Sequence, residues 1–250
     1  MNLMLKLFWV SLLCSLICSV KAQIVTDRPD QTESSLTVGQ GDLQIESGVL
    51  VGYEGEGKYQ SRQLLAPTSL FRFGLLKGVE FRVLSQFEVA SFKGYDSDGI
   101  SDLELGTKIQ LLNKENVNTQ IAVLSHLVLP TGSSVLSGDV YSSINKLCLS
   151  HMLSDGLNLG YNVGYNYFGK GNGNLSYSIS LNSAVNDKVA VYIEPYGEWI
   201  EMEDLIVNID AGFTYLANDN LQFDLSFGTG VNEKMNYISA GLSWLLQKGE

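Results

Sequence analysis

The run LNLGYNVGYNY, residues Leu157–Tyr167, decides how this chain folds. Leu157, Leu159, Tyr161, Val163, Tyr165 and Tyr167 hold one parity, and Asn158, Gly160, Asn162, Gly164 and Asn166 hold the other. Successive side chains point to opposite sides only in extended backbone, so this alternation predicts a strand with one apolar and one polar face. The pattern spreads both ways along the chain. Residues 43–53 alternate Leu43, Ile45, Val49, Val51 and Tyr53 with Gln44, Glu46, Gly48 and Gly52. Residues 79–91 set Val79, Phe81, Val83, Phe87 and Val89 against Glu80, Arg82, Gln86 and Glu88. Residues 101–111 set Leu103, Leu105, Ile109 and Leu111 against Asp102, Glu104, Lys108 and Gln110. The theme recurs at 175–185, 189–199, 205–215, 221–229 and 238–246, and segments 67–75, 120–129 and 144–153 are also strand-like. The facing of 120–129 and 144–153 is ambiguous. In all, the sequence predicts about 12 strands, each near the length a tilted strand needs to cross a bilayer.

Strict alternation also occurs in soluble sandwiches. Three features favour a single antiparallel transmembrane β-barrel over residues 42–246. The apolar face carries almost no charge in any strand. Aromatic residues such as Tyr53, Phe71, Tyr165, Tyr167, Trp199, Tyr215 and Trp244 sit near strand ends, where interfacial girdles form. Connections mostly alternate between short turns, as at 76–78, 154–156 and 186–188, and longer loops, as at 92–100, 130–143 and 168–174. That parity puts short turns on one rim and long loops on the other, which a sandwich has no reason to keep.

The N-terminus fixes the compartment. Lys6 precedes an apolar stretch from Leu7 to Cys18, and Val20 and Ala22 stand where a leader peptidase reads small residues. Residues 1–22 therefore read as a signal peptide cleaved before Gln23, too short to serve as a membrane anchor. Leu13 and Ile17 precede Cys14 and Cys18, which disfavours a lipoprotein signal. Cleavage leaves Cys148 alone, excluding a disulfide-stapled scaffold. The chain carries a net charge of −11, and the leader takes lysines but no acids with it. So acidic a surface disfavours nucleic acid, and none is expected as a partner.

Several stretches carry a family likeness. They are TDRPDQTES (26–34) followed by GDLQIESG (41–48), FRFGL (71–75) with VEFRV (79–83), GISDLELGTK (99–108), LPTGS (129–133) and LQFDLSFG (221–228). In this order, across nearly all of residues 26–246, the chain resembles the family named for a transporter of the meta-pathway of phenol degradation. The resemblance implies an outer-membrane β-barrel associated with transport of small, including aromatic, compounds. Its expected partners are outer-membrane lipid, a small-molecule solute and, during insertion, the barrel-assembly machinery. The tail 247–250 departs from the usual aromatic ending, although Trp244 and Leu246 still offer an apolar insertion signal.

Chemistry in such a barrel belongs to inward side chains. A tight hairpin at 76–78 that pairs Leu75 with Val79 sets Gly74 opposite Glu80 and Arg72 opposite Arg82. Opposed arginines repel unless acids lie nearby. The expected partners are Glu80, Glu88, Asp102 and Glu104, with Lys108 close by. This group reads either as a charged constriction that orients a polar or anionic solute or as a salt-bridge network that holds the strands. Glu194, Glu198, Glu201, Asp210 and Asp224 could form a second, negative wall. The polar segment 23–41 is either a periplasmic tail or a plug folded back into the lumen. His126 and His151 lie in no nucleophile motif. The acidic turn Asp96–Gly99 lacks the rest of a calcium loop, and the glycine-rich loop 169–174 lacks a phosphate-binding ending. No cofactor or metal is expected.

A small-molecule channel thus stands beside a structural or adhesive barrel with an occluded lumen, a barrel enzyme and a soluble periplasmic β protein. If the barrel reading holds, the protein fractionates with the outer membrane and migrates differently on a gel before and after boiling. Recovery in the soluble periplasm with one heat-independent mobility would contradict it.

Overall fold

The computed structural model describes residues 24–249; residues 1–23, on which the expected signal peptide falls, and residue 250 lie outside this range. Thirteen strands are present: β1 Leu43–Glu54, β2 Ser61–Leu76, β3 Val79–Phe92, β4 Tyr95–Ile100, β5 Leu103–Leu112, β6 Thr119–Leu129, β7 Ser142–Ser154, β8 Leu157–Tyr167, β9 Asn174–Ala184, β10 Val189–Ile200, β11 Asp204–Asn218, β12 Leu221–Gly230 and β13 Met235–Leu246. Twelve of them pair antiparallel with both neighbours, and β1 pairs with β13 and β2 with β3, so the sheet closes on itself. Closure leaves no free edge. The thirteenth, β4, pairs only with the distal half of β3 and rises from the long-loop rim. It lies within what the sequence presents as a plain loop. The alternation there is too brief to announce a strand, and its partner is available only because β3 outruns β5.

Burial is inverted relative to a soluble protein. Phe71, Phe73, Phe81, Val123, Val163, Ile179, Ile193, Phe213, Phe227 and Trp244 are exposed, whereas Arg72, Glu80, Arg82, Lys108 and Glu194 are buried. A chain in water would gain nothing from that arrangement. In hydrocarbon the exposed band is solvated and every backbone polar group is satisfied within the barrel. The polar parity of each strand faces a lumen of side chains.

Burial resolves both strands of ambiguous facing. On β6, Ala122, Leu124 and His126 turn inward while Val123 and Leu127 turn out, and on β7 Cys148 turns inward. Ala122, Leu124 and Cys148 form one small apolar cluster inside the barrel. The tight hairpin between β2 and β3 carries a bulge that pairs Val79 with Leu76 instead of Leu75. Beyond it the expected register holds, with Gly74 opposite Glu80 and Arg72 opposite Arg82.

The turns at 77–78, 155–156 and 219–220 lie on one rim, with the longer loops opposite. The chain enters β1 and leaves β13 at the short-turn rim, where the Lys248 N–H donates to the Asp42 carboxylate at 2.8 Å. Val163, in the middle of β8, is 55 % exposed on the lipid face. Val163→Arg should lower stability in lipid by about 2–4 kcal/mol, while Val163→Leu stays within about 1 kcal/mol. Denaturant unfolding in vesicles measures both, and equal effects would place this face away from lipid.

Candidate functional site

Residues 24–41 run inside the barrel. The Ile24 N–H donates to the Asp219 carbonyl at the short-turn rim. The segment then rises to Gln31, turns, and returns to Gly41, whose N–H donates to the Gly74 carbonyl at 2.8 Å beside the β2–β3 turn. Its two legs meet at the base, where Ile24 and Val38 pack against Leu245 and Leu216. The barrel wall has room for this because glycines face the lumen at the contact points. A Cβ on Gly74 would lie 1.9 Å from the Gly39 carbonyl oxygen. Gly48 and Gly241, opposed on β1 and β13, would each place a Cβ 2.5 Å from the Arg28 guanidinium.

Charge then fixes the ascending leg. Arg28 crosses those two glycines to a bidentate pair with Asp224, Nη2–Oδ1 2.9 Å and Nε–Oδ2 3.2 Å, and Nη2 also donates to Ser239. Asp27 is the centre of the second contact. Its carboxylate accepts from Lys108 Nζ at 2.8 and 2.9 Å and from Arg82 Nη1 at 2.5 Å, with Arg72 Nη1 3.3 Å away. Glu33 accepts from Arg82 Nη2 at 2.9 Å. From the wall, Glu46 accepts from Arg72 Nη1 at 2.7 Å and Glu80 from Arg72 Nε at 2.9 Å and Arg82 Nη1 at 2.9 Å. Three buried cations are thereby ringed by four acids, two from the wall and two from the segment. Burial opposes ionisation of Asp27, but Arg72, Lys108 and Arg82 overcome it and hold its carboxyl well below the usual range.

The same network binds segment backbone. Glu46 accepts the N–H groups of Asp27 and Arg28 at 2.9–3.1 Å, Glu80 accepts the Val38 N–H at 2.8 Å, and Arg72 donates to the Val25 and Leu36 carbonyls. Non-repetitive backbone buried in a lumen must find such partners.

The candidates singled out from sequence divide into three groups. Arg72, Glu80, Arg82 and Lys108 converge as expected. Glu104 reaches them through His126, whose Nε2 accepts from Arg82 Nε at 3.0 Å and whose Nδ1 donates to Glu104 at 2.8 Å. Glu88 and Asp102 lie elsewhere. Glu88 accepts from Gln63 and Ser101, and Asp102 accepts the N–H groups of Gly132 and Gly138 in the β6–β7 loop. Although burial opposes it, those loop N–H groups pull the Asp102 carboxyl below its ordinary value. Of the negative wall, Asp224 is neutralised by Arg28, Glu198 accepts from Asn174, and Glu201 sits in the β10–β11 loop against the Asn172 N–H. Glu194 and Asp210 are opposed across β10 and β11, both buried. Sequence reasoning did not single out Asp27, Glu33 or Glu46. Glu46 shares the inward parity of β1 and was legible as such, whereas Asp27 and Glu33 lie in a segment without periodicity.

Both histidines are engaged. His126 bridges Arg82 and Glu104, and His151 lies between the Thr119 hydroxyl at 2.8 Å and the Tyr161 hydroxyl at 2.9 Å. Among the described residues, no group of three or more His, Cys, Asp or Glu side chains is placed to hold a metal.

Above the segment the lumen opens. A cavity of about 740 Å³ reaches from Glu54, Arg62 and Lys234 at the long-loop rim down to Gln31. A second, of about 400 Å³, lies against Lys146, Asn166 and Glu198. Gln31, Tyr196, Ile200, Ile206 and Asn208 line both, so they meet over the turn of the segment. Their walls mix tyrosine rings and aliphatic chains with amides and a few charges, a lining suited to small amphiphilic solutes.

Asp27→Asn should leave three buried cations short of one charge, costing about 3–5 kcal/mol. Limited proteolysis should then cut the segment in the folded barrel. Because the Asp27 carboxyl is held below its ordinary range, the contact is fully present at neutral pH and is lost only as pH falls through that lowered value. Protection already lost near about pH 5 would contradict this.

Comparison with known proteins agrees with this architecture. Among proteins of curated function none matches the chain. An outer membrane channel from Pseudomonas putida F1 superposes with a TM-score of 0.72 at 10 % identity, covering 84 % of this chain and 97 % of that one. The KdgM porin, solved with disordered oligogalacturonate, gives 0.55 at 12 % identity over 80 % and 98 % of the two chains. The translocator domain of the autotransporter NalP from Neisseria meningitidis gives 0.50 at 10 % identity over 84 % and 90 %. At such identities the likeness is one of fold. Residues 26–246 match the family described as "Putative MetA-pathway of phenol degradation", and the chain belongs to that family.

Proposed function

We propose that this protein is an outer-membrane channel through which small molecules diffuse, with aromatic compounds among its solutes, and that residues 24–41 plug it. The observation that carries the reading is the pair of joined cavities that enter from the long-loop rim and end on Gln31. An apolar solute with a polar substituent finds both kinds of surface there, from Tyr196, Ile200 and Ile206 to Asn208 and Gln31. Family membership and the outer-membrane channel and porin among the similar structures support the same class.

Within this reading Arg72, Arg82 and Lys108 do not select anions while the plug is seated, because Asp27, Glu33, Glu46 and Glu80 cancel them. They become a constriction once Asp27 and Glu33 leave with the segment. Glu80, Glu104, Glu194, Asp210 and Asp224 stay on the wall. The plug contacts would equally suit a purely structural barrel with an occluded lumen, and one deletion separates the two.

In planar bilayers the full mature chain should show rare or small openings. The variant lacking residues 24–40 should show frequent unitary steps, and adding Arg72→Gln and Arg82→Gln to it should shift selectivity toward cations. Silence from the folded deletion variant would overturn the channel in favour of the structural barrel.

A further inference from the structure

The legs and the turn of the plug are held by opposite chemistry. Asp27, Arg28 and Glu33 are matched by charges of opposite sign. The turn is held among acids. Glu194 accepts the Gln31 N–H at 2.7 Å and the Thr32 hydroxyl, whose oxygen is also hydrogen-bonded to the Ser178 hydroxyl at 2.7 Å. Asp30 accepts from the Ser180 hydroxyl at 2.8 Å. Asp210, directly opposite Glu194 on β11, accepts from the Tyr237 hydroxyl at 2.5 Å through Oδ2. No cation pairs with Asp30, Glu194 or Asp210 among the described residues, and Arg28, the cation of the segment itself, is committed to Asp224.

A second observation concerns neutral groups at the same place. The Asp210 Oδ1 atom is buried without a hydrogen-bond partner in a residue 2 % exposed, and so is the hydroxyl of Tyr192, 5 % exposed. Tyr192 lies in the field of all three carboxyls, packed across Gly212 beside Asp210. Two carboxylates cannot both stay ionised when opposed in so dry a place, and a shared proton removes the conflict.

We propose that Asp30, Glu194 and Asp210 form a proton-held latch on the turn of the plug, closed while they share protons and released when they ionise. This inference rests on the plugged-channel reading. Around the three carboxyls lie Ser180 of β9, Tyr192, Glu194 and Tyr196 of β10, Asp210 of β11 and Tyr237 of β13, with Asp224 of β12 and its partner Arg28 in the segment. Of these only Arg28 is cationic, and it is already paired. Burial, and then the charge of Glu194, raise the Asp30 carboxyl well above its ordinary value. The latched state therefore holds more protons than the released state. Raising pH through that elevated range favours release, by up to about tenfold per pH unit for each proton lost. The Asp27 contact has the opposite sign, so alkaline conditions free the turn while the base stays seated.

The test uses the full mature chain in lipid with a nitroxide on Gln31→Cys, an exposed position, attached at one pH; Cys148 is buried and does not compete. Between about pH 5 and about pH 9 the mobile fraction of the spectrum should grow at least about tenfold. In Glu194→Gln/Asp210→Asn, which keeps one acceptor oxygen on each side chain but cannot ionise, the spectrum should stay immobile throughout. Asp210→Asn alone serves if the double variant loses its heat-modifiable migration. A parent spectrum that does not change with pH, or a variant that follows the parent, would overturn the latch. Conductance of the deletion variant is read separately. Conduction with a pH-independent spectrum removes the latch and keeps the channel, and the converse removes the channel and keeps the latch.

Discussion

Arg72 and Arg82 face one another across β2 and β3 in a space closed to water, and the rest of the interior follows from that opposition. A guanidinium withdrawn from water must be paired, and two side by side, with Lys108 a strand away, need more acid than β2, β3 and β5 provide. Glu80 and Glu46 supply part of it from the wall. The remainder comes from Asp27 and Glu33, from a part of the chain with no place in the sheet. An irregular segment that brings charge into a barrel must also satisfy its own backbone. Glu46 and Glu80 do both: Glu46 takes Arg72 on one oxygen and the Arg28 N–H on the other, and Glu80 takes Arg72 on both and the Val38 N–H on one of them. Charge compensation and plug docking are therefore one interaction counted from two sides.

That unity explains why glycines occur where they do on the lumen face. At Gly48, Gly241 and Gly74 a side chain would occupy the space that Arg28 or the returning backbone at Gly39 fills. The wall is carved for its occupant. Above the turn the demand disappears, and the lumen widens into cavities with few buried charges. The molecule thus has a dense, ionic lower half and an open, mixed upper half, divided at Gln31. The acids of β10 and β11 that no cation pairs lie at that boundary.

Much of this was legible in the sequence. Alternation marked nine of the 12 barrel strands outright, because a residue on a closed barrel in lipid has only two environments, while 67–75, 120–129 and 144–153 were only strand-like, the last two of ambiguous facing. The opposition of Arg72 and Arg82 followed from one short turn, even though a bulge moved the first pair from Leu75 to Leu76. What failed was anything set by tertiary charge. Glu88 shares the parity of Glu80 and Arg82 but stands too far up β3 to reach them, and Asp102 lies before β5 begins. The destination of Asp27 could not be read locally, since nothing in a polar, aperiodic stretch says which wall it will meet.

The central claim, that the N-terminal segment is seated inside the barrel with its turn against β9 and β10, is tested most directly by disulfide trapping. The Thr32 and Ser178 hydroxyls are 2.7 Å apart, a separation compatible with the Cβ–Cβ span of a disulfide. Thr32→Cys/Ser178→Cys, oxidised mildly in intact outer membranes, should cross-link in most of the folded protein and yield a species that a cut between β1 and β9 leaves joined. Absence of that cross-link in a barrel of normal heat-modifiable mobility would contradict the account.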